Sequence, residues 1–419
     1  MKVKMQIGLV LSIIIIALML CCTIDFNAYA YTFPQINFNF AGKTYSWNLS
    51  MCSQNHNTIF NLQQKYLNIK NNGIQNEIKR LKKLKMTEQE IMFNILPAFE
   101  DLYKIMRNDI ESEFIETQID FNPSAKQMFN FKNGRTGVKI DDVKLLNDIA
   151  SGKENIEIKT LLTNPRFEAS ELYENTERRS VQSTSFAGSE SGRRFNLQKA
   201  MATFNGLVVM PNEVVSFANV LNTRDNGEAY RDAIVIVNGE FTRGVGGGIC
   251  QASTTIYNAV LMAGLEILEV HRHTLPVGYV EKGFDAMVND SGIDMRFKNN
   301  LNYPIYIKTY SANENVYAEV YGSPMNGVWY KKVSEKVKDI EPEEPEIIPD
   351  TEGKYIDKIK YKGEMYTEKY AKNGYEVKGY LYTYKGNELI NKKLIRHEKY
   401  ASTRAKIYEG VQEKESENN

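Results

Sequence analysis

The sequence predicts an α+β protein, and three observations support that class. Apolar residues recur at helical spacing between Leu62 and Met106. A pattern of strand, turn, strand, helix and strand occupies residues 126–163. Tyrosine-rich alternation with glycines at the turns fills residues 354–410, which is typical of a small β-rich region. With 419 residues, of which 42% are hydrophobic, the chain is long enough for two or three domains with buried cores.

The N-terminus has the pattern of a secretory signal. Two lysines precede an apolar run over residues 7–24, and small residues at Ala28 and Ala30 suit a signal peptidase that cleaves after Ala30. The run is also nearly long enough to span a bilayer, so an uncleaved membrane anchor over residues 1–30 is the alternative. Both interpretations place the rest of the chain outside the membrane. The formal net charge of zero argues against general nucleic-acid binding.

Residues 31–175 form the predicted N-terminal region. Its first helix covers about residues 62–84 with an interruption at Gly73. Thr87 and Glu90 have the spacing of a capping box, which opens a second helix. That helix carries an apolar stripe typical of a core, formed by Ile91, Ile95, Phe99, Leu102 and Met106.

Three further segments have the composition of connections. Residues 175–194 are polar and rich in serine and arginine, which predicts a surface loop or linker. Residues 339–353 are acidic and contain several prolines, as linkers often do. The last residues, 411–419, are mostly charged or polar and predict a disordered tail.

The segment Gly244–Gly264 combines a glycine-rich loop with a helix, and Cys250 lies near the first helical turn. Backbone N–H groups are unpaired there and the helix dipole favours negative charge, so this position favours a reactive thiolate. Gly246, Gly247 and Gly248 permit positive φ and close approach of a substrate. Their N–H groups are candidates for an oxyanion hole.

Other uses of this segment are open from the residues alone. A cysteine is often buried as a small hydrophobic residue, and a disulfide between Cys52 and Cys250 would argue against a nucleophile. A glycine-rich loop before a helix suits phosphate, but no G-K-[S/T] sequence follows it. A zinc site needs about four ligands, and one cysteine with two histidines and scattered carboxylates does not favour it. We therefore predict no metal and no cofactor.

A nucleophilic cysteine needs a general base, and the chain has four histidines. His271 and His273 follow the Cys250 helix and a predicted strand, which would return them to the N-terminal end of that helix. The base should in turn be oriented by a third group. The candidates for that group are Asp285, Asp294 and Glu269.

Several motifs now stand in order along residues 184–322 and resemble the VanW-domain family. They are RFNLQKAMATFNG from Arg194, MPNEVVSF from Met210 with Asn212 where the family usually has glycine, GGGICQASTTIYNAVL from Gly246, H-x-L-P-V-x-Y from His273, G-F-D-A from Gly283 and DMRFKNN from Asp294. The ordered set is far more specific than a glycine-rich loop alone. The stretch 126–163 is loosely similar to a peptidoglycan-binding module that often precedes VanW domains.

Some VanW-domain proteins have been assigned as peptidoglycan L,D-transpeptidases, which form 3-3 cross-links through a cysteine thioester. The resemblance implies Cys250 as the nucleophile and His273, which matches the family histidine, as its base. We take His271 as the alternate base and Asp285 as the orienting group. It also implies peptidoglycan stem peptides as partners, outside the cytoplasm, with the membrane as a further partner if the signal stays uncleaved. Predicted substrate contacts are Gly246, Gly247, Gly248, Gln251 and Ser253.

Two alternatives to transpeptidation are compatible with the same sequence. With water as the acceptor, the same cysteine would make the protein an L,D-carboxypeptidase or endopeptidase. In a second class, the protein is a non-catalytic cell-wall-binding or glycopeptide-response protein, and Cys250 is structural. The N-terminal region and the β-rich tail suit that second class.

Overall fold

A computed structural model describes residues 35–48, 56–71, 73–237 and 240–413. The predicted signal or anchor, Cys52 and residues 414–419 of the predicted tail lie outside these ranges. With 25% helix and 38% strand, the predicted α+β class is confirmed. Within the described ranges, no helix has the length and apolar character needed to span a bilayer.

The helices and strands are as follows in chain order. The helices are α1 (His56–Asn71), α2 (Ile74–Lys83), α3 (Glu88–Ile95), α4 (Phe99–Ile110), α5 (Asp142–Ala150), α6 (Ala169–Glu174), α7 (Ser191–Phe204), α8 (Phe217–Arg224) and α9 (Ile249–Met262). The strands are β1 (Gln35–Phe40), β2 (Lys43–Asn48), β3 (Gln118–Phe121), β4 (Phe129–Lys132), β5 (Gly137–Ile140), β6 (Asn155–Glu157), β7 (Thr160–Thr163), β8 (Glu177–Ser185), β9 (Leu207–Val209), β10 (Val214–Ser216), β11 (Asp232–Val237), β12 (Glu240–Val245), β13 (Glu266–Glu269), β14 (Arg296–Lys298), β15 (Ile305–Ala312), β16 (Asn315–Gly322), β17 (Val328–Ile340), β18 (Glu346–Pro349), β19 (Met365–Lys369), β20 (Gly374–Lys385), β21 (Glu388–Tyr400) and β22 (Lys406–Glu409).

The chain divides into two compact units. The first contains the residues before Thr117 together with Gly134–Arg166, and the second contains Thr117–Asn133 and everything from Phe167 onward. In the first unit β1 pairs antiparallel with β2 and parallel with β6. Helices α1 to α5 supply most of the remaining core, in which Phe38 and Phe99 are fully buried.

The helical predictions for the first unit hold with one correction. Gly73 separates α1 from α2, and Thr87 with Glu90 forms the expected capping box at α3. The predicted second helix is two helices, because Pro97 lies between the end of α3 and the start of α4. A proline has no N–H to continue the helical hydrogen bonds and its ring clashes with the preceding turn. The apolar stripe remains in the core on both helices.

The stretch 126–163 contains the predicted strands and helix, but it is not one self-contained unit. Strand β4 pairs with β3 in the second unit, where Phe129 stacks edge-on against Tyr306 with ring centroids 5.2 Å apart. Strands β5 and β7 pair with each other in the first unit, where β5 packs against α4. On β4, Phe131 is buried and Phe129 is half-buried in an aromatic cluster of the second unit, which local sequence patterns do not reveal.

The second unit is built on an antiparallel sheet with the order β8-β16-β15-β9. Helices α7 and α9 pack on it through buried residues such as Leu197, Phe204 and Ile256. Residues 175–194, predicted as a loop or linker, instead form β8 and the start of α7. Because β8 is an edge strand that buries only Thr184, its sequence lacks the apolar alternation by which a strand is recognised.

The C-terminal strands form two small sheets, β17-β20-β21 and β18-β22-β19. The predicted acidic linker 339–353 is part of them, since β17 ends at Ile340 and β18 pairs in parallel with the distant β22. Buried Asp350 then accepts hydrogen bonds from the N–H groups of Lys354 and Tyr355, both at 2.8 Å. Because β18 is defined by its pairing with a distant strand, the local composition of residues 339–353 does not reveal it.

Gly374, the first residue of β20, is expected to tolerate no side chain. A Cβ there would lie 2.3 Å from the carbonyl oxygen of Tyr400 and 2.5 Å from the N atom of Ser402. Backbone atoms cannot move aside cheaply, so Gly374→Ala should lower the free energy of unfolding by about 1–3 kcal/mol. Urea unfolding measures the change.

Gly278→Ala is the matched control for this substitution. A Cβ at Gly278 would meet nothing within 4 Å, and this glycine has no positive φ. The control should change the free energy of unfolding by no more than about 0.5 kcal/mol. Equal losses in the two variants would contradict the close approach of β20 to Tyr400.

Candidate active site

The glycine-rich loop joins β12 to α9, and its backbone packs closely against neighbouring backbone atoms. Gly248 is the N-cap residue of α9 at φ 117°, and a Cβ there would lie 2.9 Å from the carbonyl oxygen of Arg193. At Gly247 a Cβ would lie 2.5 Å from the carbonyl oxygen of Ile234. Both glycines are buried, so they serve close backbone packing, whereas Gly246 is only half-buried.

Cys250 lies in the first turn of α9, with a free, half-buried thiol. Its Sγ is 3.3 Å from the carbonyl oxygen of Val288, to which the thiol donates. The neighbouring N–H groups of Ile249 and Gln251 donate to the carbonyls of Gly246 and Gly248. Within the described ranges, the N–H of Cys250 donates no hydrogen bond, as is usual for an N–H group in the first turn of a helix.

His273 follows β13 and is brought back to Cys250, with a side chain that is 4% exposed. Its Nδ1 is 2.7 Å from Oδ2 of Asp285, which also accepts from the backbone N–H of His273 at 2.6 Å. This pairing leaves Nε2 of the imidazole for the hydrogen bond between His273 and Cys250. The imidazole of His273 thus lies between the sulfur of Cys250 and the carboxylate of Asp285 and is hydrogen-bonded to both.

The electrostatics of this chain favour the charged imidazole. Burial opposes the charge on His273, but hydrogen bonds with Asp285 and Cys250 outweigh it and raise the pKa of His273 to about 9. Burial likewise opposes a charged Asp285, but hydrogen bonds from His273 and Tyr400 lower the pKa of that carboxyl below its ordinary value. At neutral pH the pair is therefore an imidazolium and a carboxylate.

The other predicted acid–base residues lie elsewhere. His271 is exposed, and its Nε2 is 3.0 Å from Oε1 of Glu269. Asp294 accepts from the hydroxyl of Ser216 and from the N–H of Ala218 at 3.0 Å, which anchors the start of α8. Of the three candidates for the orienting group, Asp285 is thus the one whose carboxylate contacts His273.

Two predicted substrate contacts on α9 point into the protein. Gln251 is 1% exposed and donates to the carbonyl oxygen of Ser185 at 2.8 Å and to the hydroxyl of Thr184 at 3.1 Å. Ser253 is fully buried, and its hydroxyl has no partner over the described part of the chain. Neither side chain is open to a bound peptide. Both are buried because α9 is enclosed on all sides, with every residue from Gln251 to Leu261 buried.

Tyr400 and Arg396, at the end of β21, were not predicted and hold Asp285 in place. The hydroxyl of Tyr400 donates to Oδ1 of Asp285 at 2.5 Å and accepts from the N–H of Gly283 at 2.7 Å. Arg396 donates from Nη1 to the carbonyl oxygen of Asp285 at 3.1 Å. Tyr400 lies 115 positions beyond Asp285, and no local motif marks it.

No cluster of three or more histidine, cysteine, aspartate or glutamate residues is placed to hold a metal ion in the described ranges. The site brings together the Cys250 thiol, the His273–Asp285 pair and the backbone N–H groups around the first turn of α9. Such an arrangement can perform covalent catalysis at a carbonyl carbon, since it combines a nucleophile, a proton carrier and its orienting carboxylate.

Residues 192–321 match the family model described as "VanW like protein". The chain is 33% identical over 206 residues to the uncharacterized protein YoaR of Bacillus subtilis (strain 168), covering 48% of this chain and 68% of that protein. It is 28% identical over 147 residues to the vancomycin B-type resistance protein VanW of Enterococcus faecalis (strain ATCC 700802 / V583), covering 34% of this chain and 54% of that protein. The chain belongs to the VanW-like family.

Among solved structures, the crystal structure of HP0197-G5 aligns with 20% of this chain and 95% of its own length. The identity is 17% and the TM-score is 0.12, too low to support a fold assignment. The family match ends at residue 321, so Tyr400 and Arg396 lie outside the matched segment although they contact Asp285.

His273 is expected to stay protonated up to about pH 9. Its folded pKa lies above the ordinary 6.5, so its stabilising contribution is complete below about pH 6.5 and is lost as the pH rises through about 9. NMR titration of the histidine ring protons measures the pKa directly. Asp285→Asn should lower it, because the carboxylate that favours the imidazolium is gone.

Asp294→Asn is the control for this titration, since Asp294 does not contact His273. The control should leave the pKa of His273 unchanged. If Asp285→Asn also left it unchanged, Asp285 would not be the group that holds the charge.

Tyr400→Phe is expected to destabilise the protein and to raise the pKa of Asp285, because the hydroxyl that donates to its carboxylate is lost. Leaving the buried N–H of Gly283 and one carboxylate oxygen without a partner should cost about 1–3 kcal/mol. Urea unfolding gives the stability, and the rate of thiol alkylation against pH reports the change at Cys250.

Tyr384→Phe provides the comparison from the same sheet. The ring of Tyr384 stacks on Trp329 with centroids 4.2 Å apart, and this packing survives the loss of the hydroxyl. We expect an unchanged alkylation profile for this control. A Tyr400→Phe profile that matched it would show that Tyr400 does not act on the site.

Proposed function

We propose that this protein is a cysteine-dependent acyltransferase of the cell wall, a peptidoglycan L,D-transpeptidase that forms 3-3 cross-links. The observation that carries the proposal is the hydrogen-bonded series Cys250, His273 and Asp285 at the N-terminal end of α9. A thiol beside a protonated imidazole at a helix N-terminus is the setting in which a thiolate becomes a strong nucleophile. Ionisable groups with shifted pKa values cluster at functional sites, which supports a catalytic role for this pair.

In the first half-reaction the Cys250 thiolate attacks the carbonyl carbon of the third residue of a tetrapeptide stem. The oxygen of the tetrahedral intermediate takes the negative charge, and the N–H of Cys250 is available to donate to it. As the amide bond breaks, the His273 imidazolium gives its proton to the leaving amine of the terminal D-alanine. A thioester on Cys250 and a neutral His273 remain.

In the second half-reaction the side-chain amine of a neighbouring stem's diamino acid attacks the thioester. Neutral His273 accepts the proton that this amine loses, the carbon–sulfur bond breaks, and the Cys250 thiolate leaves. His273 is then an imidazolium again, and Cys250 is free for the next substrate. One amide bond replaces another, so no nucleotide is consumed.

Asp285 contributes by fixing the imidazole rather than by moving protons. Its carboxylate accepts from Nδ1, which leaves Nε2 directed to the sulfur, and its charge favours the imidazolium. Because Asp285 is 1% exposed and itself hydrogen-bonded by Tyr400, the imidazole keeps one orientation through both half-reactions. In such a series the imidazole transfers the proton, and the carboxylate orients the imidazole and stabilises its charge.

The setting outside the cytoplasm is part of the same proposal. The predicted secretory signal or anchor would deliver the chain to its substrate, or hold it there by the membrane. One relative is named as a vancomycin B-type resistance protein, and a role at the cell wall agrees with that name. Peptidoglycan stem peptides are the proposed partners.

Mass spectrometry of muropeptides tests the activity. The purified protein is incubated with disaccharide-tetrapeptides, beside Cys250→Ala, His273→Ala and His271→Ala. We expect the wild type to form a dimer that has lost one D-alanine and carries a 3-3 link, and Cys250→Ala to form none. His273→Ala should be slower by about 10²–10⁴-fold, because proton transfer at the sulfur and the amine is lost.

His271→Ala is the matched control, since that histidine is exposed and pairs with Glu269. It should react like the wild type. Shortened monomers without dimers would mean that water is the acceptor, which is hydrolysis by the same cysteine. Unchanged muropeptides with folded wild-type protein would overturn the proposal in favour of a wall-binding protein.

A further inference from the structure

A second charged group lies beside the cysteine and has no part in the series just described. Arg193 is in the first turn of α7, and its carbonyl oxygen abuts Gly248 at the start of α9. Its Nη2 donates to Oε1 of Gln251, the residue after Cys250, at 2.7 Å. The guanidinium is therefore tied to the first turn of the nucleophile's helix.

Gln251 is itself held rigidly, so it fixes the guanidinium of Arg193. The Gln251 side-chain amide donates to Ser185 and Thr184 of strand β8, and its oxygen accepts from Arg193. These contacts use both N–H donors of the buried amide and one acceptor direction of its oxygen, so the side chain keeps one orientation. A side chain predicted as a substrate contact instead orients the arginine.

Tyr279 lies beside the guanidinium and within electrostatic range of Cys250. The Cζ of Arg193 is 5.9 Å from the centroid of the Tyr279 ring. Burial, first, and the proximity of Cys250 raise the pKa of Tyr279, while a hydrogen bond with Thr254 and the charge of Arg193 lower it. Thr254 lies one helical turn beyond Cys250 on the same side of α9, so thiol, phenol and guanidinium surround one small region.

The charge of Arg193 is unbalanced within the described ranges. No carboxylate lies within ion-pair distance of it there, whereas neighbouring Arg194 is paired with Glu314 at 2.9 Å. Arg193 is half-buried and keeps N–H donors beyond the one given to Gln251. A half-buried guanidinium with free donors is suited to bind a carboxylate, which can accept two parallel hydrogen bonds.

We propose that Arg193 binds the terminal carboxylate of the residue that leaves during the first half-reaction. The proposal rests on the transpeptidase function, and it specifies the donor substrate as a stem with a free C-terminus. The amide bond one residue before that carboxylate is then brought to Cys250 and breaks, and the terminal D-alanine departs with its carboxylate. A stem whose terminal residue is amidated or extended would lose the contact.

Paired substrates test this contact in the active protein. Turnover is measured with a disaccharide-tetrapeptide and with the same compound carrying a C-terminal carboxamide, for the wild type, Arg193→Gln and Arg194→Gln. Because charge-assisted pairs are the stronger hydrogen bonds, the wild type should favour the carboxylate by about 10- to 100-fold in kcat/KM. Arg193→Gln should lose that preference, and the control Arg194→Gln should keep it. Thermal melting checks that the variants are folded.

Binding to a Cys250→Ala protein separates this proposal from the transpeptidase function. Isothermal titration calorimetry of this variant should show a lower Kd for the carboxylate compound than for the carboxamide. The double variant Cys250→Ala/Arg193→Gln should bind the two compounds with equal Kd. If this preference appears without any turnover by the wild type, the arginine contact stands and the transpeptidase function fails.

Two results would overturn the contact itself. If the wild type had equal kcat/KM for the carboxylate and the carboxamide compound, Arg193 would not bind the terminal carboxylate. An Arg193→Gln loss that was equal for both compounds would place Arg193 at the reacting carbonyl oxygen instead. Absence of both turnover and binding in folded protein would overturn the contact and the transpeptidase function together.

Discussion

The buried hydrogen bond between His273 and Asp285 is the interaction on which the site depends. A charged pair is costly to bury unless every polar atom finds a partner. Here the carboxylate of Asp285 accepts from the ring and the backbone of His273 and from the hydroxyl of Tyr400. The surrounding residues therefore do two things: their hydrogen bonds offset the cost of burying the charges, and their packing fixes the geometry of the pair.

Those supports reach the pair from three directions. Strand β13 and the loop after it return His273 to the N-terminal end of α9. The two sequence neighbours of Asp285, Phe284 and Ala286, are fully buried and fix its backbone. The N–H of Ala286 donates to the hydroxyl of Thr254 at 3.0 Å, which ties this loop to α9. The end of β21 completes the enclosure through Tyr400.

How much the sequence predicts depends on the range of the interaction. The first turn of α9 at Cys250, the capping box at Thr87 and the strands and helix of residues 126–163 were predicted, because each has a local signal. Strands β8 and β18 were missed, since each is defined by pairing with a distant strand. The sequence left three acids open as partners of His273, and only the folded chain distinguishes Asp285 from the other two.

The contact between Tyr400 and Asp285 has a consequence for how such proteins diverge by recombination. The match to the family model ends at residue 321, yet β21 supplies a phenol to the buried carboxylate of Asp285, and the N–H of Ala401 donates to the carbonyl oxygen of Thr274 at 3.0 Å. A crossover at the end of the matched segment would separate the carboxylate from its partner. The C-terminal strands and the cysteine-bearing region should therefore be inherited as one block, with changes at one matched by changes at the other.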